Sequence, residues 1–451
     1  ASVVVTLRPF PKTDVAQKTA EAVRLAPKVH TVLEVDLVCY LTPPKSWIVP
    51  LVRPKGMVNN QAKYLNFNAE IAKQNTALNF EDVQEDRVAC YFHTGGTTGM
   101  PKVAQHKYSG LIYNGWLGHR LLFSEQDNIM CPLPLFHVFA CHVILMAAVS
   151  SGAHVVFPTP QGYRGDGVFD NFWKLVERWK ITFIITVPTA ISAKMQRPID
   201  ADVSTVKTAF SGSAPLPLEL FRRFEKATGV TLVEGYGLTE ATCLVSCNPT
   251  DGPKKVGSIG IAFPYSDVRI IKGTTDGPID AETDEIGEIC VRGPNVMLGY
   301  WGQPELTRLA LRDGWMRSGD GGRMDENGFI YVVDRLKDMI ISGGENIYSA
   351  EVENARHQHD AVAEAAVIGI TDAKWGQMVV ACILSSEAKA DAQGLDAHMQ
   401  KSGLAGFKRP KAYVFFDSLP RNAAGKVLRR ALRGEVDAAR EGGRGPEFTE
   451  I

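Results

Sequence analysis

The sequence predicts an α/β protein. A large N-terminal domain of parallel strands covered by helices carries a small barrel-like antiparallel part, and a smaller α+β domain follows it. Three observations carry this reading. From about 90 to 250, apolar strand-like runs alternate with amphipathic helical ones, the pattern of a parallel sheet under helices. From about 255 to 334 short strands alternate with turns, as in an antiparallel sheet or small barrel. After Asp334 a charged knot, "DRLKDMI", precedes a segment with its own helix and strands. The boundary is placed there, giving domains 1–334 and 335–451.

Taken in order, the chain opens on "SVVVTL", which reads as an interior strand, with no initiator Met ahead of it; a fragment or processed form is the expectation. "RVACYF" (87–92) reads as a short buried strand feeding the stretch "YFHTGGTTGMPK" (91–102), which holds three glycines and three threonines and ends on a lysine. Glycine loses more entropy on ordering than any other residue, so such a loop is a cost unless something approaches its backbone. A strand running into a glycine-rich turn is a common cradle for phosphate oxygens, the bland alternative being a surface turn. "VFACHVILMAAV" (138–149) is twelve residues long and contains His142. It falls short of the ~18 residues needed to span a bilayer and reads as a buried core helix. "AHVVFP" (153–158) and "ITFIITVP" (181–188) read as strands around "GVFDNFWKLVERWK" (167–180), whose apolar residues recur at helical spacing. "SDVRIIK", "GEICVRG" and "GFIYVVD" are the strands of the antiparallel part. Beyond the boundary come a helix at "SAEVENARHQ" and strands at "EAAVIGI" and "QMVVACIL". The tail "EGGRGPEFTEI" is polar and Gly-rich, and poor order is expected there.

The 451 residues suffice for two or more domains with sizeable cores, and 45% hydrophobic with 22% charged residues is ordinary for a globular protein. Lys plus Arg number 49 against 50 Asp plus Glu, so no basic excess argues for nucleic acid. Eight cysteines are scattered; the nearest pair, Cys243 and Cys247, has no second Cys/His pair beside it in sequence, so zinc is not expected and free thiols are. No signal peptide or transmembrane segment is visible, and a cytoplasmic setting is expected.

The glycine-rich loop is not an ordinary P-loop, because Val103 stands after Lys102 where a hydroxyl would be needed. Instead "TGGTTGMPK" resembles the phosphate loop of the adenylate-forming enzymes: acyl- and aryl-CoA synthetases, peptide-synthetase adenylation domains and firefly luciferase. "PLPLFHVFA", "SGSAPLP", "EGYGLTEAT", "GEICVRGPNVMLGYW", "WMRSGDGGRMDENGFIYVVDRLKDMIISGGENIYSAEVE" and "LPRNAAGKVLRR" match that superfamily's successive motifs in order, across roughly three quarters of the chain.

The resemblance implies ATP-dependent activation of a carboxylic acid to an acyl-adenylate, then thioester formation with coenzyme A, with a mobile C-terminal lid. The hydroxyls of Thr94, Thr97 and Thr98, the backbone of Gly95, Gly96 and Gly99, and Lys102 suit the β- and γ-phosphates. Within the "GYG" run of Gly235, Tyr236 and Gly237, Tyr236 offers an aromatic face to adenine. Thr239 and Glu240, with Thr97, offer hard oxygens to Mg²⁺. Asp320 suits the ribose hydroxyls, Arg335 resembles the second ribose contact, and Lys337 sits at the family's hinge, near 335–338. Ser213, Ala214 and Pro215 resemble the adenine wall. His137, Val138, Phe139, Ser211, Gly212 and Gly235 are expected to line the acid pocket, with His137 aimed into it. Lys426 matches the lysine that bridges the acid and the α-phosphate in the first half-reaction.

For the second half-reaction, Gly343 and Gly344 are expected to flank a pantetheine tunnel. Trp375, Phe407, Arg409 and Lys411 match positions that hold the nucleotide of coenzyme A in aryl-CoA ligases. A fatty or aliphatic acid is the first expectation, an aromatic acid the second. A carrier-protein acceptor and a truncated, non-catalytic nucleotide binder remain as rivals, and a homodimer is an open expectation. The phosphate loop falls closer to the start than in such enzymes, so the opening half of the large domain is expected to be missing.

Overall fold

The computed structural model describes residues 1–56, 58–77, 81, 83–94, 102–274, 277–356, 359, 361–385, 390–421, 427–442 and 446–451. The chain divides into two compact units, 1–85 and 86–451.

In the first unit, β1 (Val3–Leu7), β2 (Thr31–Val35) and β3 (Lys63–Asn66) form a parallel sheet in that order. The helix Val15–Arg24 connects β1 to β2, and Val23, Val29 and Val32 form the apolar centre. β1 is an outer strand with Val5 56% exposed, not the interior strand its valine run suggests; among the described residues only one of its edges is paired.

The second unit starts with the antiparallel pair β4 (Val88–Thr94) and β5 (Lys102–Lys107). Next come β6 (Asn128–Met130), β7 (His154–Val156), β8 (Phe183–Thr186), β9 (Thr208–Ser211), β10 (Thr231–Leu238), β11 (Cys243–Cys247) and β12 (Ile261–Ala262). These build a seven-stranded sheet in the order β12-β11-β10-β9-β8-β6-β7, parallel from β10 to β7 and antiparallel at β11 and β12. Every residue of β8 is buried, as expected of a strand covered on both faces.

The expected buried helix at 138–149 is present but is wound as a π-helix over Phe139–Met146 before continuing as an α-helix at Ala147–Ser151. The helix expected at 167–180 is shorter, Phe172–Arg178, because the residues ahead of it form turns around Gly167, at φ +74°.

The antiparallel part consists of β13 (Asp267–Thr274), β14 (Gly277–Asp280), β15 (Gly287–Arg292), β16 (Gly299–Tyr300), β17 (Leu311–Arg312), β18 (Trp315–Met324) and β19 (Ile330–Arg335). β16 leaves this sheet to pair with β5; the others form a six-stranded sheet whose last strand ends at Arg335.

A separate six-stranded sheet begins with β20 (Ile340–Ser342) and β21 (Glu345–Ile347). β22 (Val362–Asp372), β23 (Gly376–Ser385), β24 (Ala412–Phe416) and β25 (Phe448–Glu450) complete it. Helices Ser349–Arg356, Ala392–Lys401 and Arg429–Arg440 accompany it. The tail departs from expectation: 448–450 pair antiparallel with β24, and Ile451 N–H donates to the Lys411 carbonyl. An open β24 edge captured a polar segment whose composition alone argues for disorder. None of the eight cysteines forms a disulfide. Among the described residues no helix is long and apolar enough to cross a membrane.

Candidate active site

Thr94, buried, and Lys102 are cross-strand partners, so the ends of the glycine-rich loop are clamped together where β4 stops and β5 begins. Gly95, Gly96, Thr97, Thr98, Gly99 and Lys426 lie outside the described residues. Lys102 Nζ donates to Tyr300 Oη at 3.2 Å and sits 4.4 Å from the centre of its ring. The same hydroxyl donates to Glu240 Oε1 at 2.9 Å. The phenol therefore links a cation at the loop's end to a carboxylate in the turn after β10. Burial, then the Glu240 charge, pushes the Tyr300 pKa well up, which keeps its proton in place.

β10 delivers Tyr236 and Gly237, then a 3₁₀ turn, Thr239–Ala241, carries Thr239 and Glu240. The turn reverses through Thr242, at φ +51°. The β10–β11 register shifts between Tyr236 and Gly237, and here glycine is required: a Cβ on Gly237 would stand 1.8 Å from the Cys243 carbonyl oxygen.

Tyr236 Oη donates to Asp320 Oδ2 at 2.5 Å, and Arg335 Nε lies 2.6 Å from Asp320 Oδ1. Asp320 and Arg335 face each other across β18 and β19, which fixes this pair by register. Lys337 follows, its pKa lowered by burial and then by the Arg335 charge.

The wall beside Tyr236 is built at the end of β9. A Cβ on Gly212 would meet Phe139 Cζ at 3.1 Å and the Gly235 carbonyl at 3.3 Å, so Gly212 packs closely against both. Ser211 is fully buried, Ser213 adopts φ +72°, and Ala214 and Pro215 are exposed. Val138 is buried in the apolar core with Phe139. His137, half-buried, accepts from Phe139 N–H through Nδ1 at 3.3 Å and so starts the π-helix.

In the C-terminal sheet, Gly343 and Gly344, at φ +61° and +86°, turn the β20–β21 hairpin. Gly343 N–H donates to the Trp375 carbonyl at 2.8 Å, which brings both glycines beside Trp375. β23 and β24 are parallel and Lys411 N–H donates to the Val379 carbonyl, so Trp375 and Lys411 lie ahead of neighbouring strand starts on one edge. Phe407 is exposed in a 3₁₀ turn. Arg409 Nε and Lys411 Nζ donate to the Leu404 and Gly406 carbonyls at 3.1 and 3.3 Å.

A family model described as AMP-binding enzyme matches residues 1–301, and one described as AMP-binding enzyme C-terminal domain matches 351–426. The chain belongs to the AMP-binding enzyme family. It is 37% identical over 420 residues to a long-chain-fatty-acid–CoA ligase of Bacillus subtilis (strain 168), covering 90% of this chain and 73% of that relative. It is 36% identical over 407 residues to an indoleacetate–CoA ligase of Aromatoleum aromaticum, covering 89% and 74%. The crystal structure of ATP-bound MatB from Rhodopseudomonas palustris superposes with a TM-score of 0.77 at 30% identity, over 90% of this chain and 79% of that one.

Within this family member, two residues at the site escaped the sequence reading. Tyr300 is one; its signal was a conspicuous tyrosine in "LGYW". Glu234 is the other, directly before "GYG". Its Oε1 accepts from Leu216 N–H at 3.0 Å and so fastens the far end of the 211–216 wall, while burial pushes its pKa up to about 7.

Proposed function

We propose that the protein is an AMP-forming acid–CoA ligase. The observation that carries this reading is the convergence of two hydrogen-bonded chains on one short segment. Lys102–Tyr300–Glu240 and Arg335–Asp320–Tyr236 meet the β10–β11 turn at residues only four apart, beside the clamped ends of the glycine-rich loop.

Lys102 and the loop's amides and hydroxyls take the β- and γ-phosphates, Asp320 and Arg335 the ribose, and Tyr236 with the 213–215 wall the adenine. The acid enters between His137, Phe139 and Gly212, and its carboxylate attacks the α-phosphorus. A new O–P bond forms, the P–O bond to pyrophosphate breaks, and Lys426 offsets the charge of the two anions as they meet. The thiol of coenzyme A then gives up its proton to solvent and adds to the acyl carbonyl; a C–S bond forms, the C–O bond to AMP breaks and AMP leaves. The domains divide at 334/335, with a hinge at 335–338 through which Lys426 withdraws and the 343–344 hairpin approaches with Trp375, Phe407, Arg409 and Lys411.

Glu240 fits a Mg²⁺ ligand: its carboxylate is a hard donor with lone pairs beyond the one that Tyr300 uses, and Thr97 is the second candidate. Bound there, the ion would offset triphosphate charge. A fatty or aliphatic acid is the proposed substrate, supported by the apolar surroundings of Phe139 and by the fatty-acid ligase relative. An aromatic acid is the second reading, supported by the indoleacetate ligase relative. Eight cysteines with no disulfide among them support a reducing, cytoplasmic setting.

The test is pyrophosphate release with ATP, Mg²⁺ and acids from acetate to palmitate beside benzoate and cinnamate, followed by thioester formation with coenzyme A. Lys426→Ala is expected to lower adenylation by about 100-fold or more and to spare thioester formation from supplied acyl-adenylate. Survival of both half-reactions would refute its role. Absence of pyrophosphate release with every acid would refute the ligase.

A further inference from the structure

Beside the Thr239 carbonyl, three side chains that ligate metals meet. Cys90 and His106 are cross-strand partners on β4 and β5, and His142 reaches them from the π-helix. Cys90 Sγ lies 3.9 Å from His106 Nδ1, and His106 Nδ1 lies 3.1 Å from His142 Nε2. One ligand atom from each residue lies within 4.8 Å of the other two. Tetrahedral zinc, with Zn–S near ~2.3 Å and Zn–N near ~2.0 Å, needs N···N and S···N separations of about 3.3 and 3.6 Å. The two separations at His106 are within a few tenths of an ångström of these values, and the third, Cys90 to His142, must close from within 4.8 Å by about an ångström.

Two further observations point the same way. His106 Nε2 stands 2.7 Å from the Thr239 carbonyl oxygen, which only accepts. Nε2 therefore holds the ring's proton and Nδ1 presents its lone pair to the cluster, the arrangement in which a carbonyl behind the ring sets a metal-ligating tautomer. His142 must then donate from Nε2, which leaves its Nδ1 an unprotonated nitrogen. That atom is buried and has no hydrogen-bond partner among the described residues; the side chain is 1% exposed. Phe92 packs on both rings, 5.5 Å from His106 and 4.7 Å from His142, and keeps the cluster dry.

We propose that Cys90, His106 and His142 form a binding site for a soft divalent transition metal, zinc first, distinct from the oxygen-lined seat of Mg²⁺. The thiol gives up its proton and Sγ bonds the metal. His106 ligates through Nδ1. His142 ligates through Nε2, and the proton displaced from that atom moves to the orphaned Nδ1, so one proton is released per ion bound. Sulfur and imidazole donors favour Zn²⁺ or Co²⁺ over Mg²⁺, so the two sites load independently. Because His106 also grips Thr239, occupancy tightens the segment that carries Glu240; this consequence alone rests on the ligase reading.

The test is a titration of the chelator-stripped protein with CoCl₂ in excess Mg²⁺ and without nucleotide. The expected result is a thiolate-to-cobalt band in the near ultraviolet, saturating at one ion per chain, with one proton released and the band bleached by Zn²⁺. Cys90→Ser should abolish the band, and His142→Gln should weaken Co²⁺ binding roughly tenfold or more. Cys39→Ser, which removes an exposed thiol elsewhere, should change neither. Circular dichroism checks that each variant folds, and His106→Gln replaces any that does not. Absence of a band at stoichiometric cobalt, or a band unchanged in Cys90→Ser, would overturn the proposal. Neither readout depends on ATP turnover, so failure of the ligase assay leaves it standing.

Discussion

Tyr300 shows how much one hydroxyl can organise. It accepts from Lys102 and donates to Glu240, so removing it separates the cation proposed to take phosphate from the carboxylate proposed to hold Mg²⁺. A hydrogen bond to a charged group contributes about 1.5–3 kcal/mol. Tyr300→Phe, which keeps the ring over Lys102, is therefore expected to lower kcat/KM for MgATP roughly 10- to 100-fold, with the melting temperature little changed. Steady-state kinetics at saturating acid and coenzyme A checks it, and unchanged kcat/KM would sink the role. The sequence could name Tyr236, Glu240, Asp320 and Arg335 because each sits in a recognisable local pattern. It could not name Tyr300, whose partners lie 198 and 60 residues away. Glu234 escaped likewise: a glutamate beside a glycine reads as solvated until β9 and β10 are laid side by side and Leu216 is found above it.

At the scale of elements, the β10–β11 turn is the part whose shape the site most depends on. The bulge at Gly237 brings its backbone against the Cys243 carbonyl, and the reversal at Thr242 returns the chain into β11. Gly237→Ala would drive a Cβ into that carbonyl, which neither strand can give way to without breaking the register. It is expected to cost roughly 2–4 kcal/mol, read in thermal or urea unfolding, and to disable the site even where the protein folds. A stability within about 0.5 kcal/mol of the parent would show that the bulge relaxes freely. The strands were legible here because apolar alternation and bounding turns are local signals. The π-winding of 139–146 was not, since an apolar run has no period that separates π from α. Nor was the edge strand at 448–450, which exists because β24 had an unpaired side.

For the whole molecule, two buried ionisable groups in the same unit give opposed pH dependences. Glu234 rises from its ordinary 4.5 to about 7 through burial. Between those values the folded state binds more protons than the unfolded one, so this group's contribution falls as pH rises. Lys194, fully buried, donates among the described residues only to Tyr163 and Thr186, and burial pulls it from 10.5 down to about 7. Between those values the unfolded state binds more protons, so stability rises with pH. Glu234→Gln, which keeps the acceptor for Leu216, should gain over the parent as pH climbs from 4.5 to 7, reaching roughly 3 kcal/mol at most. Lys194→Met should be more stable by up to about 5 kcal/mol below pH 7, the gain vanishing by about pH 10.5. Denaturant midpoints across pH 5–10 check both; difference curves with no slope in these windows would refute the burial assignments.

By itself the sequence determined the family, the alternation of layers, the change of texture near 255 and the residue types the nucleotide chemistry needs. Those features are written in local order: periodicity, glycine placement and motif spacing. Only the tertiary structure decided which strands are neighbours, and with them the Asp320–Arg335 register, the Tyr300 bridge, the Glu234 anchor and the meeting of Cys90, His106 and His142. Such pairings join residues from different elements, and a contact between distant positions leaves no trace in either one's neighbourhood along the chain.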